Sequence, residues 1–271
     1  MIKRNYYSIR KNEESSIDLT ILQKMFFIFY KELIQDEYFV KYLGLNIDIL
    51  TKKITSESEE SIVNKLYMQL VKNDLFPVEK YIDNYSEEDI FDMLEFLYDN
   101  CSKKIYEDYP LIGSYYDDLK GKKYFRNQIN PILAKYKDGY EISEDGEILI
   151  LGDIGFSTLF EAEIPTDDVE NVTNKIIRAN KKFRHFSSTV EDKRDAILEL
   201  ADVFEFLRPQ IDKLELTKDE NAIFNIANNF GIRHHNKKQK TDYDKGIWYS
   251  WIFYSYLAAI HTFLRMIHKS T

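Results

Sequence analysis

The sequence predicts a mostly α-helical protein that carries one small β-hairpin, and three observations support this class. Apolar residues recur at helical spacing along most of the 271-residue chain, and polar capping residues precede several of these segments. Asp145 and Gly146 separate two short strand-like segments, which is the pattern of a tight hairpin turn. Hydrophobic residues make up 44% of the chain and charged residues 31%, a balance typical of globular rather than disordered proteins.

In the N-terminal half, capping residues and apolar stripes predict four helices. Their expected ranges are Asp18 to about Gln35, Ser58 to Lys72, Ile90 to Asn100 and Lys122 to Lys135. A Ser86–Asp89 capping box precedes the third of these helices. Pro110 and Gly113 interrupt the helical spacing, so Ser102–Gly121 is predicted to be a loop.

The hairpin separates this half from a C-terminal set of helices with clear start and stop signals. The expected helices run from Thr166 to about Phe183, from Ser188 or Thr189 to about Lys213, from Thr217 through Phe230, and from about Asp242 to His268. We therefore expect a helical N-terminal region at 1–138, a β-hairpin with a linker at 139–164, and a C-terminal helical bundle at 165–271.

Composition restricts the classes of function. The 37 Lys and Arg residues against 46 Asp and Glu residues give a net charge of −9, so a polyanion would have to bind a local basic patch. Cys101 is the single cysteine, which excludes an internal disulfide and a cysteine-based zinc site and favours a cytoplasmic protein. The sequence contains neither a Gly-rich phosphate loop nor a Gly-x-Ser-x-Gly nucleophile motif, which argues against NTP hydrolysis and esterase chemistry.

The stretch Ile247–Leu264 contains no formal charge over 18 residues, which is just long enough to raise the possibility of a membrane anchor. Ser250, Ser255 and His261 interrupt it, and much of its bulk is tyrosine. These features favour a buried core helix, so no membrane contact is expected.

The segment Asn228–Lys240 is the densest polar cluster of the chain and precedes the final predicted helix. The Arg233 guanidinium can hold two phosphate oxygens, and His234 or His235 can transfer a proton to or from a ribose oxygen. Asn236 can orient a histidine. The predicted catalytic residues are therefore Arg233, His234, His235 and Asn236. The predicted binding residues are Lys237, Lys238, Lys240, Asn228, Asn229 and His261.

Other interpretations of these residues remain open. The same segment can be a hydrogen-bonded corner that ties down helix ends, or a site for another ligand. His261 can be a core histidine, or it can supply the missing acid or base if it faces Arg233. Two adjacent histidines rarely converge on one ion, so neither a metal nor a cofactor is expected.

The stretch Arg233-His234-His235-Asn236 before the final helix resembles the Arg-polar…His motif of the HEPN superfamily and of abortive-infection proteins with that architecture. The resemblance covers Thr166–His268 and implies a helical, dimeric, RNA-cleaving domain. The family places four to six residues between Arg and His, so of its catalytic residues only Arg233 matches by position. Arg178 and His185 have six residues between them, but Arg178 lies inside a predicted helix, which favours surface charge.

These observations predict an RNA-directed defence or toxin-like protein, with a metal-independent endoribonuclease as the possible enzyme. RNA is the expected partner, together with a second copy of the chain or another protein. The alternative is a non-catalytic interaction or scaffold protein that assembles through its aromatic C-terminal helix, because aromatic side chains dominate such interfaces.

Overall fold

A computed structural model of the chain describes residues 17–48, 50–51, 53–56, 58–106, 114–152, 156–160, 162–214 and 244–270. The predicted mostly α fold is confirmed, since helices dominate these ranges and the strands are short. The chain divides into two compact units, Met1–Leu151 and Gly152–Thr271. The hairpin near 140–151, which the sequence predicts together with the linker, lies in the first unit.

Six α-helices are described in the first unit. They are α1 (Leu19–Gln35), α2 (Val40–Leu43), α3 (Glu59–Leu70), α4 (Val78–Tyr81), α5 (Glu87–Asp99) and α6 (Asp118–Leu133). The predicted caps are confirmed at two helices: Asp18 accepts a hydrogen bond from the Ile21 amide, and Ser86 and Asp89 form a reciprocal capping box.

Three antiparallel two-stranded ribbons accompany these helices. They pair β1 (Asn46–Ile47) with β2 (Ile54–Thr55), β3 (Lys103–Tyr106) with β4 (Ser114–Asp117), and β5 (Tyr140–Ile142) with β6 (Ile148–Ile150). The β5–β6 pair is the predicted hairpin around Asp145-Gly146. The prediction of a loop over Ser102–Gly121 was wrong, because β3, β4 and the start of α6 lie there. The strand-favouring residues Ile105, Tyr106, Tyr115 and Tyr116 are a weak signal that Pro110 and Gly113 obscured.

Phe125 of α6 lies at the centre of the first unit's core and is fully buried. Its ring makes edge-on contacts with Phe29 of α1, at 4.8 Å between centroids, and with Tyr98 of α5, at 5.6 Å. Edge-to-face geometry is favourable for aromatic pairs because the positive ring edge meets the negative ring face. These contacts fix three helices around one side chain.

Glycine at position 121 lets α6 approach β3 closely. A Cβ atom at this position would lie 2.7 Å from both the Lys103 nitrogen and the Ser102 Cα. Both neighbours are main-chain atoms that cannot swing aside, so a larger residue would push the helix away from the ribbon.

Side chains of α5 and α6 fasten the β5–β6 hairpin to the first unit. The Asn130 amide donates to the Ile142 carbonyl at 3.2 Å and accepts from the Ile142 amide at 2.9 Å. Glu95 accepts a hydrogen bond from the Ile148 amide at 2.7 Å. The outer edges of a two-stranded ribbon have main-chain groups with no partner in the ribbon. The Asn130 and Glu95 side chains form hydrogen bonds with such groups of β5 and β6.

The described part of the second unit contains three α-helices: α7 (Asn174–Arg184), α8 (Val190–Ile211) and α9 (Lys245–Ser270). A π-helical turn, Val169–Thr173, leads into α7, and Asp168 caps it by accepting from the Asn171 amide. Thr189 and Asp192 form a capping box at the start of α8. The helix predicted over Thr217–Phe230 lies outside the described residues.

The uncharged stretch of α9 is a core helix for most of its length. The helix is roughly 39 Å long at 1.5 Å per residue, and it buries Ile252, Phe253, Leu257 and Ile260 completely. Within the described ranges, no helix combines the length and apolar character needed to cross a lipid bilayer.

We expect Asn130→Ala to lower the free energy of unfolding by about 1–3 kcal/mol, because it leaves the buried Ile142 amide without a partner. Urea unfolding followed by circular dichroism measures this change. Asn127, one turn earlier on the exposed side of α6, provides the matched control. Asn127→Ala should change stability by less than about 0.5 kcal/mol. Equal effects of the two substitutions would show that the hairpin does not depend on Asn130.

Candidate functional site

The predicted site segment lies outside the described residues, since these stop at Leu214 and resume at Asp244. This applies to the four predicted catalytic residues, Arg233, His234, His235 and Asn236. It also applies to five of the predicted binding residues: Asn228, Asn229, Lys237, Lys238 and Lys240. The structure therefore describes the helices on either side of the segment and, of the predicted site residues, His261.

The end of the segment is joined to a capped helix. The Asp244 carboxylate accepts from the Ile247 amide at 3.2 Å, and its carbonyl accepts from the Trp248 amide at 3.0 Å. These bonds satisfy amides of the first turn of α9, which have no partner inside the helix.

Aromatic packing holds α9 against the other two helices of the unit. The Phe253 ring stacks on Phe183 of α7 with centroids 3.9 Å apart. Phe204 of α8 meets Tyr256 edge-on at 5.0 Å and Phe263 at 5.9 Å. Arg233 precedes this buried helix by twelve residues in the sequence. The helix that follows the segment is thus a rigid part of the second unit.

His261 lies on the buried side of α9 and is 5% exposed. Its Nδ1 atom has no hydrogen-bond partner among the described residues. Burial lowers the pKa of His261 and the Arg265 charge lowers it further, while a hydrogen bond with the Glu163 backbone acts in the opposite direction. The ring is therefore held in its neutral form, which can accept a proton.

Helix α7 presents a group of cations that the sequence analysis did not select. Its 11 residues include Lys175, Arg178, Lys181, Lys182 and Arg184 and no acidic residue. The signal was present in the sequence as a charge run, but helical charge runs are usually solvated surface. Lys175, Arg178 and Lys182 share one face of α7 because their spacing is three and four residues.

One carboxylate forms ion pairs with two of these cations. Glu199 of α8 lies 2.8 Å from the Lys182 ammonium and 3.4 Å from the Arg178 guanidinium. The Arg178 side chain remains 60% exposed and the Lys182 side chain 38% exposed. The hydrogen bond with Glu199 raises the pKa of Lys182, and the charges of Asp192 and Asp195 raise it further, so three carboxylates of α8 lie near the cations of this face.

Two further basic residues of this region have structural roles or local partners. Arg184 is buried, and its guanidinium lies 4.4 Å from the centre of the Phe160 ring. His185 is exposed, and its Nδ1 atom lies 2.9 Å from the Ser187 hydroxyl. The pair Arg178 and His185 thus contacts Glu199 and Ser187, respectively.

Exposed residues near the N-terminus of α9 form an apolar surface. Ile247 is 68% exposed and Trp251 is 47% exposed. A cavity of about 590 Å³ lies between this part of α9 and the turn Ser157–Leu159. Phe156 stacks on Tyr254 at one wall of the cavity, with ring centroids 4.6 Å apart.

Within the ranges that the structure describes, no group of three or more histidine, cysteine, aspartate or glutamate residues could hold a metal ion. Comparisons of the chain with protein-family models, curated proteins and solved structures give no match. Function must therefore be inferred from the charge and exposure of the residues themselves.

The lowered pKa of His261 predicts a specific pH dependence of stability. The unfolded chain binds more protons than the folded chain below the ordinary histidine pKa of 6.5. The contribution of neutral His261 to the free energy of unfolding is therefore complete above that pH. It is lost as the pH falls toward the lower pKa that His261 has in the folded chain. We expect acidification from neutral pH to destabilise the wild-type chain more than His261→Leu, as measured by urea unfolding.

His268 on the exposed side of α9 supplies the control for this experiment. His268→Leu should retain the pH dependence of the wild type. If His261→Leu also retained it, the imidazole would titrate alike in the folded and unfolded chains.

Proposed function

We propose that the chain is an RNA-directed protein of the defence or toxin type, and that Asn228–Lys240 supplies its RNA-contacting and catalytic groups. The observation that carries the proposal is the presence of two basic tracts in the C-terminal half of a sequence with a net charge of −9. One tract is the exposed face of α7. The other contains Arg233, Lys237, Lys238 and Lys240.

The charge distribution suits a polyanion better than a small anion. The cations of the α7 face are spread over two helical turns, which is about 10 Å, and the Arg178 side chain is 60% exposed. Successive phosphates of a nucleic acid present charges on the same scale. The net charge of −9 disfavours RNA binding to the chain as a whole, so the basic tracts are the expected contact sites.

The residue types of Arg233–Asn236 suit cleavage of RNA without a metal. A histidine acting as a base takes the proton from the ribose 2′-hydroxyl, whose oxygen then attacks the adjacent phosphorus. The bond from phosphorus to the 5′-oxygen breaks, and a second acid protonates that oxygen. The products are a cyclic 2′,3′-phosphate and a 5′-hydroxyl end. Arg233 stabilises the charge that develops on the phosphate.

Expression of the wild type in bacteria should stop growth and fragment cellular RNA. Arg233→Ala and His234→Ala should each reduce cleavage by about 100-fold or more, because each removes a group that acts on the transition state. Electrophoresis of total RNA measures cleavage, and the fragments should carry cyclic phosphate ends.

Lys24→Ala provides the control, since Lys24 is an exposed lysine of α1 in the first unit. It should retain full activity. Intact RNA with the wild type at the same expression level, or equal cleavage by wild type and Arg233→Ala, would refute the nuclease proposal.

A second candidate function is assembly through the apolar surface of α9. The exposure of Ile247 and Trp251 beside a cavity of about 590 Å³ favours it. Tryptophan and isoleucine side chains that lie next to a cavity are typical of the centre of a protein interface.

Light scattering after size exclusion should then give twice the chain mass or a larger assembly for the wild type. Trp251→Ser should weaken this assembly at least tenfold, because aromatic anchors carry most interface energy. Leu119→Ser, at an exposed apolar residue of the first unit, should leave it intact. A monomeric wild type, or equal assembly of wild type and Trp251→Ser, would exclude this function for the surface.

A further inference from the structure

The first unit contains a cavity of about 460 Å³ whose lining includes neither the cations of α7 nor any residue of α9. Its walls come from four segments: α1, the β1–β2 ribbon, the start of α3, and residues 76–80 around α4. Cavities that bind small molecules have volumes of about 300–1,000 Å³, and the volume of this one lies within that range.

The apolar part of the wall is aromatic and aliphatic. Phe27, Phe76 and Pro77 contribute rings, and Leu45 and Ile54 contribute aliphatic side chains. Phe76 and Leu45 are buried in the core of the unit, so this part of the wall is held in place by packing. A fixed apolar wall favours a ligand with a flat, weakly polar portion.

The charged part of the wall has an excess of cations. Lys31, Lys53 and Lys80 line the cavity together with Glu59 and Glu79. Within the described part of the chain none of these five residues belongs to an ion pair, although at least nine other lysines and arginines do. The Lys31 ammonium instead lies 5.3 Å from the centre of the Phe27 ring.

The three lysines come from separate parts of the first unit and line the same cavity. The Lys80 ammonium also lies 4.7 Å from the centre of the Tyr81 ring. Lysine is a common phosphate-binding residue because its ammonium acts as a point charge with three donors.

One hydroxyl group of the cavity wall also lacks a partner. The Oγ atom of Ser56 is buried without a hydrogen bond among the described residues. Buried polar atoms are nearly always paired in folded proteins, so an unpaired hydroxyl in a cavity wall favours a ligand that would complete it.

We propose that this cavity binds a nucleoside phosphate. The lysines hold the phosphate, a carboxylate of Glu59 or Glu79 accepts from the ribose hydroxyls, and the Phe27–Phe76 wall contacts the base. The Ser56 hydroxyl supplies a further hydrogen bond to the ligand. This inference concerns the first unit and does not depend on the RNA proposal for the second.

Isothermal titration calorimetry of the full chain with AMP, GMP, CMP and UMP tests the proposal. At least one nucleotide should bind saturably with one site per chain, and the matching nucleoside and inorganic phosphate should each bind at least tenfold more weakly. The double variant Lys31→Gln/Lys53→Gln should lose affinity by about tenfold or more, because each lysine contributes a charge-assisted contact. Ser56→Ala should weaken binding severalfold.

Lys24→Gln, on the same helix as Lys31 but outside the cavity, should bind as the wild type does, and circular dichroism should show all variants folded. Failure of all four nucleotides to bind would overturn the proposal. Inorganic phosphate that binds as tightly as the nucleotide would also overturn it. A nucleotide affinity that is lost in Arg233→Ala but unchanged in the lysine double variant would place the ligand in the second unit and would overturn it as well.

Discussion

Burial of the uncharged stretch of α9 is the constraint on which the second unit depends. Ile252, Phe253, Leu257 and Ile260 are fully enclosed, and each such side chain stabilises the fold by about 1.5–3 kcal/mol relative to exposure. The stacking of Phe253 on Phe183 brings the basic helix α7 into the same core. Because this packing fixes α9, the polar segment Asn228–Lys240 precedes a helix whose position is held by the core of the second unit.

Local signals made much of the fold predictable. The caps at Asp18, Ser86 and Thr189 were readable because capping depends on residues three positions apart in the chain. The Asp145-Gly146 hairpin was readable for the same reason. The β3–β4 ribbon was not, because its strands pair across a segment that contains Pro110 and Gly113. The fit of Gly121 against Ser102 could not be foreseen either, since it depends on how two elements approach each other.

The candidate sites differ in how far the sequence discloses them. The Arg233 segment stands out because its residues are contiguous, and its role remains a prediction. The shared face of the α7 cations is visible only in the structure, where Glu199 of α8 forms ion pairs with both Arg178 and Lys182. The cavity of the first unit was invisible in the sequence because Lys31, Lys53 and Lys80 lie on three separate elements. In both units positive charge is concentrated locally, whereas the chain as a whole is acidic.

The salt dependence of RNA binding is the most direct measurement of the central claim, that the second unit holds a polyanion on its basic tracts. Fluorescence anisotropy with a short single-stranded RNA, between about 50 and about 300 mM KCl, should give an affinity that falls linearly on logarithmic axes. Replacing Lys175, Arg178 and Lys182 with glutamine should make that slope shallower, by about 0.7 for each phosphate contact removed. An RNA affinity that does not change with salt, or no binding at the lowest salt, would contradict the claim.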